Sequence, residues 1–219
     1  MFIGHFGAGF AAKRLSSRPS LGTMFMASQF IDLLWPLFLI LGIERVEIDP
    51  GNTAFTPLDF IHYPFTHSFA AVLFWALLFG GVYFALRRDV RSSLLLGALV
   101  LSHWLLDLVV HRPDLPLFPG SDMMLGFGLW NNVAATMIVE GLVFACGVWL
   151  YVSGTRARNR IGNWALWSLI VFLLVVYVMN VFGPPPADAH AIGYVGLSMW
   201  LLVAWGYWVD RAREVVQRT

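Results

Sequence analysis

SLLLGALVLSHWLLDLVV, residues 93–110, is apolar apart from two serines, His103 and Asp107. Eighteen residues rising about 1.5 Å each nearly cross a hydrocarbon core of roughly 30 Å, so the segment predicts a membrane-spanning helix. Ionisable groups inside such a helix cost free energy and usually mark a working site. His103, Asp107 and the following His111 recur every four residues, a rotation of about 400°, and so lie along one stripe of the helix. Pro113 discourages helix at Arg112, which puts His111 near the end of the span and His103 about 12 Å deeper.

Five further apolar runs, near 21–43, 66–86, 129–152, 162–182 and 191–210, bring the expected spans to six. A chain that is 58% hydrophobic and 12% charged, with mean hydropathy +0.71, is excluded from the water-soluble class. The expected fold is all-α, one polytopic membrane helical bundle over residues 1–219. With a cytoplasmic N-terminus, the inner segments hold Lys13, Arg14, Arg18, Arg87, Arg88, Arg91, Arg156, Arg158, Arg160, Arg211, Arg213 and Arg218, against Arg45 and Arg112 outside. That asymmetry predicts a multi-pass inner-membrane protein with both termini cytoplasmic. The net charge of +1 conceals it, and the basic residues reflect topology rather than nucleic-acid binding. Cys146, the only cysteine, allows no intrachain disulfide or thiolate metal site, and reads as a small core residue.

Phe2 to Ala12 is apolar but too short to span. Because Lys13 and Arg14 follow this run and no small-residue cleavage site is evident, it does not read as a signal peptide and is expected to be retained. One solution is a half-helix anchored by Lys13 and Arg14 that lifts His5 about 12–15 Å into the membrane. The other is an amphipathic helix lying at the interface.

Span two is entered through His62-Tyr63-Pro64-Phe65-Thr66-His67-Ser68, where Pro64 suits a helix start and sets His67 in the first turn. Asp32 lies eleven residues before Ile43, and Pro36 removes the donor that would bond its carbonyl. Glu140 lies ten residues past Trp130 in span four. A lone intramembrane His or Asp is as often a hydrogen-bonded packing residue as a ligand, and His62, Asp59 and Asp114 read equally well as solvated loop residues. As a set they are harder to treat as packing, because Asp32, Asp107 and Glu140 have no Lys or Arg in their spans. Their natural counter-charge is a bound divalent metal. Imidazoles select a transition metal, and without thiolates zinc is the best match, with manganese or iron as alternatives, for roughly one to three ions.

Gly4-His5, Asp32, the His62–Ser68 element and Ser102-His103-x-x-x-Asp107 together resemble the YdjM-like family of bacterial membrane-bound metal-dependent hydrolases. In motif terms the resemblance covers residues 1–120. That family is distantly similar to zinc-dependent phospholipase C and P1-type nuclease, helical enzymes whose zinc clusters use scattered His and Asp ligands. The resemblance implies His5, Asp32, His67, His103 and Asp107 as ligands, with Asp107 able to bridge two metals. The chain departs from the pattern where Tyr63 and Pro64 stand in place of Arg-Gly, and where Gln29 to Asp32 replace Pro-Asp-x-Asp. Arg112 is the candidate for the lost anion-binding role and Glu140 for the lost carboxylate.

The expected function is metal-dependent hydrolysis of a lipid-borne ester or phosphoester, with amide hydrolysis open. Metal ligands would be His5, Asp32, His67, His103, Asp107 and His111. Asp32 or Glu140 would take the proton from water. Thr66, Ser68, Arg112 and Asn131 would hold a polar head group of a membrane lipid. The alternative is a metal-ion or proton-coupled permease using the same residues, although they crowd into spans one to four and show no inverted repeat. A scaffold without chemistry would leave three carboxylates unexplained.

Overall fold

The structure, a computed structural model, describes residues 1–216; Arg218, counted above among the inner basic residues, lies outside the described residues. In chain order come α1 (Ile3–Ala12), α2 (Leu21–Ser28), α3 (Phe30–Ile40), β1 (Arg45–Ile48), β2 (Leu58–His62), α4 (Pro64–His67), α5 (Phe69–Arg87) and α6 (Val90–Val110). After them come β3 (Leu115–Pro116), β4 (Met124–Leu125), α7 (Val133–Gly154), β5 (Thr155–Ala157), α8 (Arg160–Phe182), α9 (Ala189–Leu197), α10 (Met199–Arg211) and β6 (Arg213–Val215). The protein is an all-α helical bundle. α5, α6, α7, α8 and the α9–α10 segment are each long and apolar enough to cross a membrane.

The remaining span is broken. α2 and α3 pass the same test only as a pair, and they meet at a bend of 57° at Gln29, where the sequence predicts one continuous helix. At the break the Ser28 hydroxyl turns back onto the Phe25 carbonyl at 3.4 Å, while that carbonyl still accepts the Gln29 amide at 2.9 Å. The other spans start as their sequences dictate. Asp89, Asn132 and Asn159 accept the amides of Ser92, Ala135 and Gly162, which would otherwise go unpaired at the starts of α6, α7 and α8. α6 stops at His111, ahead of Pro113.

α1 is the half-helix, buried within the bundle. Eight of its ten residues are buried, and it crosses α7 at near-contact distance. A Cβ on Gly147 would stand 2.0 Å from the Gly7 carbonyl oxygen, so two glycines let the backbones approach. Phe6 and Phe10 of α1 meet Phe25 of α2 edge to face, at 5.1 and 4.8 Å between ring centres. This close packing decides between a docked half-helix and an interfacial one. It also corrects the expectation for Cys146: α7 gives the Gly147 side to α1, and the cysteine one position earlier is exposed.

Three two-stranded antiparallel ribbons close the ends of the bundle. β1–β2, with Glu47 opposite Asp59, and β3–β4, with Leu115 opposite Leu125, lie at the end where α3 and α6 finish. β5–β6 ties the segment after α7 to the one after α10 at the other end, with Arg156 opposite Glu214. Outward-facing residues of α5 and α8 such as Leu77, Phe74, Trp164 and Met179 are exposed and apolar, a surface suited to lipid rather than water.

Candidate metal centre

His103 sits on the inward face of α6, fully buried. Its Nδ1 lies 2.9 Å from the Ser28 carbonyl oxygen at the α2–α3 break. A carbonyl only accepts, so Nδ1 carries a proton and Nε2 points into the bundle. There it meets Asp107 Oδ2 at 3.1 Å and Asp32 Oδ1 at 3.5 Å, neither aligned as a hydrogen bond.

His67 is held the same way. Thr66 Oγ1 donates to Glu44 Oε2 at 2.6 Å, and having only one proton it must accept from His67 Nδ1–H at 2.7 Å. Glu44 is almost fully buried and also accepts the amides of Phe65 and Thr66, both at 2.8 Å, at the start of α4. His67 Nε2 therefore faces Asp32 Oδ1, at 3.4 Å. Two imidazole nitrogens and two carboxylates thus converge at 3.1–3.5 Å. Ligand atoms bonded at about 2.0–2.1 Å to one tetrahedral ion stand about 3.3 Å apart, close to the 3.4 and 3.5 Å from Asp32 Oδ1 to the two imidazoles. Imidazoles and carboxylates without a thiolate are donors that fit zinc.

Asp107 also faces the other way. Its Oδ1 lies 2.5 Å from the α-amino group of Met1 and 3.1 Å from His5 Nε2. That ammonium is a cation which a count of Lys and Arg does not see. The His5 ring stacks on His103, 3.7 Å apart and 8° from parallel, and its Nδ1 is buried without a partner among the described residues. The geometry gives two groups that could hold an ion: His5, His103 and Asp107; and Asp32, His67 and His103. They share His103 Nε2, which can ligate one ion only. Asp32 is the member at the edge, its side chain 24% exposed.

The remaining sequence candidates fall elsewhere. His111 stands outside both groups: its Nδ1 bonds Asp114 Oδ1 at 2.9 Å and its ring packs on Trp130 at 4.2 Å. Tyr63 also donates to Asp114 at 2.9 Å, and burial, followed by the charge of Asp114, pushes its phenol well above the usual value, so it stays a donor at neutral pH. Arg112 pairs with Asp59 and, at 3.4 Å, with Asp114. Glu140 is fully buried and accepts the Phe2 amide at 2.9 Å, where a carboxylate complements the N-terminal end of α1. It too lies outside both groups. Ser68 accepts the Ala71 amide as the cap of α5, and Asn131 is exposed in the turn before α7.

Sequence reasoning missed the groups that orient the donors. Glu44 looks like one more loop acid, and the Ser28 carbonyl and Met1 amine are main-chain atoms with no residue signature. No curated protein and no solved structure matches this chain. The family match extends beyond the motifs quoted above: it spans residues 50–183, containing His67, His103, Asp107 and Glu140 and leaving His5 and Asp32 outside. With more than half of its length matched, the chain belongs to the YdjM inner membrane protein family.

Proposed function

We propose that this protein is a membrane-embedded, metal-dependent hydrolase acting on a lipid-borne ester or phosphoester. The observation that carries the proposal is the meeting of imidazole nitrogens and carboxylate oxygens around His103 Nε2. Asp107 already has the Met1 ammonium at 2.5 Å, whereas Asp32 faces only the two imidazoles, and a metal between them would balance its charge in a low-dielectric interior. Zinc suits the donors, and its chemistry when bound is to acidify water into the neutral range and to polarise a substrate oxygen.

The chain's own residues supply the rest. The Ser28 carbonyl and the Glu44–Thr66 pair fix the two rings, as supports behind metal ligands do. Asp32 turns Oδ1 to the imidazoles and is the one carboxylate of the set with appreciable exposure, so its Oδ2 is the group to take a proton from water. Arg112, at the end of α6, is held by Asp59 and Asp114, and an anionic head group would reach its guanidinium by displacing one of these carboxylates. Membrane helices on every side favour a substrate whose chains stay in lipid. The proposal includes the orientation set by the basic loops, with this end of the bundle facing out of the cytoplasm.

The test is zinc content and turnover, measured on the same preparations against a panel of lipid phosphoesters, esters and amides. The wild type should hydrolyse an ester or phosphoester in a zinc-dependent way, and Asp107→Ala should lose both zinc and activity. Glu140→Gln should keep zinc and lose less than tenfold, whereas the loss of about 10²–10⁴ expected of a proton acceptor would move that role from Asp32 to Glu140. Full activity in Asp107→Ala would sink the hydrolase. Zinc uptake into vesicles without turnover would favour the permease.

A further inference from the structure

The opposite end of the bundle, where α1 finishes, is rich in cations whose acidic partners are already taken. Asp210 pairs with Lys13 at 2.8 Å, Asp89 with Arg18 at 3.3 Å, and Glu214 with Arg156 at 2.6 Å. Lys13 is further fixed by the carbonyls of Ser17 and Pro19. Arg14 has no carboxylate within ion-pair distance among the described residues. It lies across α7 at Gly154, where a Cβ would stand 3.0 Å from Nη1, so the missing side chain is what lets the guanidinium settle there.

Arg14 borders two adjoining depressions. One is a cleft of about 410 Å³ with a mixed wall, polar at Lys13, Ser16 and Ser17 and apolar at Leu15, Val215 and Val216. The other, about 210 Å³, is a mainly apolar groove along Trp149, Leu150 and Ser153. Trp149 is 66% exposed on the outward face of α7, so the groove opens toward the lipid side of the bundle. A free guanidinium at the junction of a partly polar cleft and an apolar groove matches an amphiphile with an anionic head.

We propose that Arg14 centres a binding site for an anionic phospholipid. The phosphate sits on the guanidinium beside Ser16 and Ser17, and one acyl chain lies along Trp149 and Leu150. Basic pockets between membrane helices hold phosphate head groups by this combination, and arginine's planar fork suits phosphate better than an ammonium does. The groove points to a lipid rather than a soluble phosphate. The site is separate from the His/Asp cluster and does not depend on the proposed hydrolysis.

The test is native mass spectrometry of the full chain in detergent, offered phosphatidylglycerol, phosphatidylcholine or inorganic phosphate alone. Phosphatidylglycerol adducts should exceed phosphatidylcholine adducts by about tenfold, and Arg14→Gln should remove that preference, a change worth about 1.4 kcal/mol. Arg160→Gln, which removes an equal charge from the same end, should leave it within about twofold, as expected if a built site rather than general attraction holds the lipid. Equal loss in both variants, no preference between the lipids, or displacement of bound lipid by inorganic phosphate would each overturn the site. If Arg14→Gln does not fold, Trp149→Glu on the exposed surface serves instead: loss of the adduct supports the proposal, and unchanged occupancy overturns it.

Discussion

His67 and His103 are each held by the nitrogen that turns away from the cluster, and this is where single residues decide the chemistry. Thr66 transmits the orientation of Glu44 to His67 through one hydroxyl. Thr66→Val, nearly equal in shape, should therefore weaken zinc binding by about 10–100-fold, as loss of a supporting hydrogen bond does at other zinc sites. Thr66→Ser should restore it, and a competition titration against a chromogenic chelator measures both. Equal affinity in the valine variant would remove Glu44 and Thr66 from the account. His5, Asp32, His67, His103 and Asp107 were legible in the sequence because each is ionisable inside an apolar run, where no ordinary surface explains it. Glu44 was not, since an acid at a span's end reads as solvated until the tertiary fold buries it. For His111 the four-residue spacing said which stripe it shared but not that Asp114, three residues on, would engage its ring nitrogen.

At the scale of elements, the cluster depends on a helix too short to span. α1 carries His5 and reaches its position only because Gly7 and Gly147 let it lie against α7, while Glu140 receives its first amide. Gly147→Ala places a methyl group 2.0 Å from the Gly7 carbonyl. Overpacking of this kind costs about 1–3 kcal/mol, so the melting temperature should fall and the stacking of His5 on His103 should loosen. Gly141→Ala on the same helix meets nothing within 4 Å and should change neither. A melting temperature unchanged in Gly147→Ala would mean that α1 is not docked as described. The half-helix was legible as a run of the wrong length ending in Lys13 and Arg14. The break at Gln29 was not, because Ser28 and Gln29 carry no helix-breaking signal.

For the molecule as a whole, hydropathy carried most of the information. In lipid every backbone group must be paired internally, so long apolar runs become helices, and the six predicted spans correspond to five spanning helices and one bent pair. The proposed orientation rests on a separate argument, the excess of basic residues in the loops at one end. With Cys146 replaced by Ala, a cysteine at Ala54, between β1 and β2, should react with a membrane-impermeant thiol reagent in intact cells, and one at Arg160 should react only after lysis. The reverse pattern would invert the protein and place the cluster in the cytoplasmic half of the membrane.

The central claim is that a metal joins residues of α3, α4 and α6. Its most direct test is the zinc content and X-ray absorption spectrum of gently purified protein beside His103→Ala. The account predicts at least one zinc per chain, bound only by nitrogen and oxygen at about 2.0–2.1 Å, and its loss in the variant. Wild-type protein that takes up no zinc, or equal zinc in His103→Ala, would contradict it.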